Sequence, residues 1–152
     1  MNAINNAMSI KKANQVAKET FADEIRATIG SRKHNVGVTP RETLVDALVH
    51  PQDIAIPLGR EMPMDALAAA TAAERVWSYQ GKGLARVFRN LPLWHMRLVA
   101  TDIDWSVDPL GGTVGAPEIR GPIAELLLLL TGRTVAFDRV EGEGLLLLQR
   151  ER

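Results

Sequence analysis

Five consecutive leucines, Leu126–Leu130, stand inside the string GPIAELLLLLTGR. Pro122 suits the start of a helix and Gly132 its stop, and at about 3.6 residues per turn five apolar side chains in a row point to every side. A helix apolar all round must be buried all round, so the rest of the chain has to wrap it. At 152 residues the chain is long enough to do this as one compact domain or as part of a larger protein. An apolar content of 46% against 24% charged suits a globular chain and argues against general disorder.

The surrounding pattern divides into a helical first half and a mixed second half. From Ser9 to Ile29 the apolar positions Ile10, Ala13, Ala17, Phe21, Ile25 and Ile29 follow steps of three and four, which predicts one amphipathic helix stopped by Gly30. SRKHNVGV reads as a loop. TPRE then gives Thr39 as N-cap, Pro40 at the first helical position and Glu42 completing a capping box. Leu44, Val45, Leu48 and Val49 form the stripe of this second helix, and Pro51 should end or kink it at His50. Residues 64–79 predict a third helix, rich in alanine and ended by QGKG. From Trp94 the period changes: WHMRLVATDIDWSVD alternates as a half-buried strand, PLGGT turns, and TVGAPEIRG returns as an antiparallel partner. The tail EGEGLLLLQRER suits a short helix or a strand. The expected fold class is therefore α+β, with a helical region over 1–85, a small α+β domain over 92–152, and the change near residues 80–92.

Eighteen basic residues balance eighteen acidic ones, so bulk charge gives no reason to expect nucleic acid or an anionic membrane as partner. No apolar run reaches the roughly 18 residues of a membrane span, and MNAINNAMSIKK lacks the form of a secretory signal, which leads us to expect a soluble cytoplasmic protein. With no cysteine, any thiol chemistry needs a thiol from outside.

Asp46, His50 and Asp53 are the one compact cluster of ligand types. Residues four apart stack one helical turn above each other, so Asp46 and His50 can meet one divalent ion. The alternative is a solvated pair at a helix end, and two protein ligands are fewer than zinc usually takes. His34 in its loop and His95 in the strand read as exposed histidines. Asp102, Asp104 and Asp108 lack calcium-loop spacing and read as the wet side of a strand. LGGTVG does not open a helix, so it carries no phosphate-loop pattern.

Three strings, TPRETLVDALVHPQDIAIPLGREMPM, LVATDIDWSVD and IRGPIAELLLLLTGR, stand in an order and spacing that resembles the maleylpyruvate isomerase family of mycothiol-dependent metalloenzymes from actinobacteria. The resemblance runs from about residue 19 to the C-terminus. It implies a DinB-like four-helix bundle holding a divalent metal, zinc most often, followed by a small α+β domain. In that family an early helix supplies one histidine and a later helix an acid-x-x-x-His pair. The later pair matches Asp46 and His50, with aspartate where the best-studied members carry glutamate and Pro51 where glycine is usual. The family's first two helices have no counterpart here, which makes the chain resemble an N-terminally truncated member carrying part of the bundle.

The resemblance further implies mycothiol as cofactor, its thiol made more acidic by the metal, and a small electrophile as substrate for isomerisation or thiol transfer. Arg120 and Arg133 are then candidates to pair with a carboxylate of cofactor or substrate. An incomplete bundle would leave apolar stripes uncovered and favour a homodimer. The alternative is a non-catalytic remnant serving as an apolar-ligand carrier or interaction module.

Overall fold

The computed structural model describes residues 2–31, 38–79 and 91–150. Its contacts separate into two compact units, Met1–Asn35 and Val36–Arg152. The chain change expected near residues 80–92 falls mainly outside the described residues, as do most of the SRKHNVGV loop and the QGKG stop.

The first unit holds helix α1 (Asn2–Ala13), a 3-10 turn at Lys18–Thr20 and helix α2 (Phe21–Arg26). The single amphipathic helix expected over Ser9–Ile29 is thus broken in the middle: Ala17 is extended, at φ −64° and ψ 139°. The Thr20 hydroxyl donates to the Ala17 carbonyl at 2.8 Å, an alternative to helical pairing. Packing does not override it, because no described side chain from residue 6 to 31 is buried, and helices of this length owe most of their stability to a covered apolar face.

In the second unit, helix α3 (Pro40–Ala55) starts at the expected capping box, where the Glu42 carboxylate accepts the Thr39 N–H at 2.8 Å. It does not end at His50 but runs straight through Pro51. Proline inside a helix removes one hydrogen bond, that of the Ala47 carbonyl, at a cost of about 3 kcal/mol. The far face of the helix explains why that cost is met: Val45, Val49, Gln52 and Ala55 recur at steps of three and four and all are buried. Stopping at His50 would strip the last two from the core. Gln52 Nε2 also donates to the Met62 carbonyl at 2.6 Å, fastening the helix to the loop that follows.

Helix α4 (Ala66–Trp77) opens on Asp65, whose side chain accepts the Ala68 N–H at 2.9 Å. Ala69, Ala70, Ala72 and Ala73 are buried, and α4 packs against α3. Small side chains allow that close approach.

Strands β1 (Arg97–Ala100), β2 (Ser106–Val107) and β3 (Glu118–Gly121) form a sheet in the order β2-β1-β3. The long strand expected from Trp94 to Asp108 is instead a hairpin, with the chain turning between Ala100 and Trp105, whose N–H and carbonyl bond at 2.9 Å. The expected fully antiparallel sheet is mixed: β3 crosses to the other edge of β1 and runs parallel to it, Leu98 beside Ile119. That placement puts two fully buried side chains together under the leucine helix, whereas pairing with the two-residue β2 would offer almost no ladder. The α+β class stands.

Helix α5 (Ile123–Leu130) is buried on every side, as its leucines require: α4, β1, β3 and the 3-10 segment Thr134–Arg139 surround it. Asp102, expected to face water on a strand, accepts the Ile123 N–H at 2.8 Å and caps this helix. At the other end the Gly132 N–H bonds to the Leu129 carbonyl and the Arg133 N–H to that of Leu128, closing a Schellman turn. Arg120 and Glu141 then pair by two backbone bonds of 2.8 Å, and helix α6 (Glu143–Arg150) packs on β3. The tail is a helix. Among the described residues no helix is long and apolar enough to cross a membrane.

Candidate functional site

On the exposed face of α3 the structure gathers Asp46, His50 and Asp53, and it adds Arg133. His50 Nδ1 lies 3.2 Å from Asp53 Oδ2, and His50 Nε2 lies 3.7 Å from Asp46 Oδ1. Arg133 reaches back from the Schellman turn after α5, so that its Nη2 donates to Asp53 Oδ2 at 2.7 Å and its Nε to Oδ1 at 3.1 Å. The third guanidinium nitrogen, Nη1, donates to the Thr131 carbonyl at 2.8 Å. Thr131 is itself anchored, its hydroxyl donating to Leu127 and Leu128. The fork is therefore held by the buried helix rather than by a loose surface chain. Hydrogen bonds from Arg133, with His50 adding to them, hold the Asp53 carboxyl below its usual range against the opposing push of burial.

The roles of the two ring nitrogens follow the tautomer. In the neutral imidazole Asp53 takes the Nδ1–H, which leaves the Nε2 lone pair facing the Asp46 carboxylate. A doubly protonated ring closes the 3.7 Å gap by donating to both carboxylates, with no ion between them. A divalent ion about 2.0–2.1 Å from each would bridge the gap, and a carboxylate on the second ring nitrogen is the usual support of a metal-bound histidine. The side chains of Asp46 and His50 are 70% and 66% exposed, so solvent reaches both. The set is nonetheless short: among the described residues no group of three or more His, Asp or Glu is placed to hold one ion. Two donors do not fit a catalytic zinc centre, which takes three from its protein.

The other sequence candidates stand apart from this cluster. Arg120 lies on β3, with Nη1 3.1 Å from Glu118 Oε1. His95 is exposed and its ring sits 5.2 Å from that of Trp94. His34 lies outside the described residues.

Sequence reasoning missed two other polar centres. Glu42, beyond its capping role, accepts from Arg75 Nε at 2.6 Å and also from Arg75 Nη2, the Tyr79 hydroxyl and the Thr39 hydroxyl. The Arg75 guanidinium rests 4.6 Å over the Tyr79 ring. Only the i, i+4 spacing of Arg75 and Tyr79 hinted at this; nothing local pointed to Glu42, 33 residues away. Burial pushes the Glu42 carboxyl up, but hydrogen bonds from Thr39, Tyr79 and Arg75 outweigh it and hold the acid far below its ordinary range. Burial and Glu42 together push the Tyr79 phenol up. A carboxylate so deeply ionised is a poor base, so this centre is a clasp between α3 and α4.

The clasp makes a pH prediction. A carboxyl whose folded pKa is depressed contributes stability above its unfolded pKa, about 4.3, and loses it as pH falls toward the folded value. Glu42→Gln should lower stability by about 1–2 kcal/mol at pH 7. Urea midpoints of the two proteins should begin to converge as pH falls below about 4.3 and continue to do so toward lower pH; a constant gap down to pH 3 would contradict the assignment.

The second missed centre is a cleft of about 520 Å³ on the opposite side of α3 from His50. Gln52, Met62, Met64 and Leu128 line it, together with Glu125, whose buried carboxylate accepts from Arg139 Nη1 at 2.8 Å. No protein-family model, curated protein or solved structure matches this chain.

Proposed function

We propose that this chain is a divalent-metal-binding relative of the mycothiol-dependent maleylpyruvate isomerase group, in which Asp46 and His50 are the retained part of the metal centre and α3 and α4 the retained part of a DinB-like bundle. The observation that carries the reading is the two-sided grip on His50: Asp53, clamped by Arg133, takes one ring nitrogen and turns the other toward Asp46. Imidazole suits zinc over the hard cations, and zinc also accepts an aspartate oxygen, which favours zinc. In this reading Arg133 supports the ligand pair, and Arg120 remains a candidate for contact with an anionic cofactor or substrate. Isomerisation or thiol transfer on a small electrophile, with mycothiol in the cytoplasm as thiol source, goes with the proposal only where further donors complete the centre.

The test is metal content by mass spectrometry on protein purified without a histidine tag and equilibrated with micromolar zinc. Bound zinc should disappear in His50→Ala and Asp46→Ala, and Asp53→Asn should weaken it about 10–100-fold, the usual cost of losing the group that orients a ligand. Wild-type protein free of zinc under these conditions would reject the proposal.

The cleft favours a second reading, a carrier of small amphipathic molecules without catalysis, since its volume lies within the range of small-molecule sites. Ligand binding there would survive His50→Ala.

A further inference from the structure

We infer that the cleft between α3 and α5 binds a small apolar amine in its protonated form, the ammonium head held by Glu125 and Gln52 and the apolar body lying on the wall beside them. The inference rests on the carrier reading of the cleft and adds the chemical class of the ligand.

Two side chains carry the argument. Glu125 on α5 and Gln52 on α3 are 9% and 8% exposed, and both line the cleft. Each commits one end to the fold: Glu125 Oε1 accepts from Arg139 Nη1 at 2.8 Å, and Gln52 Nε2 donates to the Met62 carbonyl at 2.6 Å. Glu125 Oε2 and Gln52 Oε1 take no hydrogen bond from the protein. Among the described residues the one side-chain polar atom both buried and without a partner is Trp105 Nε1. The two free oxygens therefore have open space beside them, and the space their side chains border is the cleft.

A pair of acceptors calls for a donor. An ammonium carries three N–H groups, so it can satisfy both oxygens, whereas a carboxylate brings only acceptors and a hydroxyl one donor. Charge points the same way. Arg139 is faced by three carboxylates, those of Glu125, Asp138 and Glu61, and exposed Arg60 in the cleft lining adds one cation, so two positive charges stand against three negative ones. One ammonium brings that sum to zero. Ile56, Met64 and Leu128, with the flexible thioether of Met62, give the body of the ligand an apolar wall that adapts to its shape.

Methyl NMR of the full chain labelled at its methionines, titrated at pH 7 with hexylammonium, hexanol and hexanoate in turn, tests this. Hexylammonium should shift the Met62 and Met64 methyls and leave Met96, which does not border the cleft, in place. Its dissociation constant should lie at least about 10-fold below that of hexanol, the usual worth of a hydrogen bond to a charged group. Hexanoate should bind more weakly than either. Glu125→Gln keeps the side-chain shape, removes the charge and should erase the preference for hexylammonium over hexanol. The comparison of three ligands on the wild-type chain decides by itself, whatever the substitution does to folding. Hexanol or hexanoate binding as tightly as hexylammonium would overturn the inference and leave the carrier reading standing, and so would an unchanged preference in folded Glu125→Gln. No shift at Met62 or Met64 with any of the three would overturn both.

Discussion

Replacing Gly142 by alanine should destabilise the Val36–Arg152 unit by roughly 3 kcal/mol or more, adding the cost of a strained backbone to that of an overpacked contact. Gly142 has φ +118°, and a Cβ built there would stand 2.2 Å from the Glu118 carbonyl oxygen. That oxygen belongs to β3 and cannot rotate away. Moving it would disturb the pairing of Glu118 with Arg97 at one end of the parallel ladder. Gly144, two residues on, is also closely packed: its Cβ would meet Ile119 Cγ1 at 2.7 Å, Met96 Sδ at 3.1 Å and the Glu118 carbonyl oxygen at 3.2 Å, but without a positive φ. Gly112 is the control. Like Gly142 it has a positive φ, +66°, but open space around it, so Gly112→Ala should cost only the backbone term, about 1–2 kcal/mol. Urea unfolding of the three proteins measures both differences. Equal midpoints for the Gly142 and Gly112 variants would mean that the close approach of α6 to β3 is wrong.

The glycines of EGEG carry a packing instruction that their sequence does not show, and this is general for what was illegible here. Signals that act within a turn or two were readable: the capping box at Thr39, the alanine helix after Asp65, and Gly132 closing α5. Signals that depend on distant partners were not. Pro51 reads as a stop, yet the buried side of α3 carries it on to Ala55. The Ser9–Ile29 period reads as one helix, yet with nothing buried there the local preference of Thr20 decides. The alternation of Ile103, Trp105 and Val107 reads as one strand because a tight turn can preserve the same alternation as an extended chain.

The candidate site divides along the same line. Asp46, His50 and Asp53 come from one helix, so spacing alone placed them together. Arg133 joins them from 80 residues away because the Schellman turn reverses the chain, and only the resemblance had drawn attention to it. Its partner is an internal carboxylate, Asp53. Asp102 was illegible in a different way: an acid in an alternating run looks solvated, and its role as a cap on α5 depends on where β3 delivers the chain.

The two leucine runs make the sharpest test of reading against packing, because in sequence they look alike. Leu127 in α5 has no exposed surface, with neighbours on all sides. Leu127→Ala should cost about 2–5 kcal/mol, the transfer term plus the cavity that the surrounding helices and sheet are too constrained to close. Leu146 in α6 is 57% exposed, because α6 covers only one face of β3 and turns Leu145 and Leu148 inward, three residues apart. Leu146→Ala should stay within about 0.5 kcal/mol of the parent. Thermal unfolding, checked against urea midpoints, separates the two predictions cleanly, since at this chain length 1 kcal/mol corresponds to about 2–4 °C. If Leu127→Ala proved as mild as Leu146→Ala, α5 would not be the enclosed centre of the fold. The packing of α4, β1 and β3 around it, and with it the platform that aims Arg133 at Asp53, would have to be redrawn.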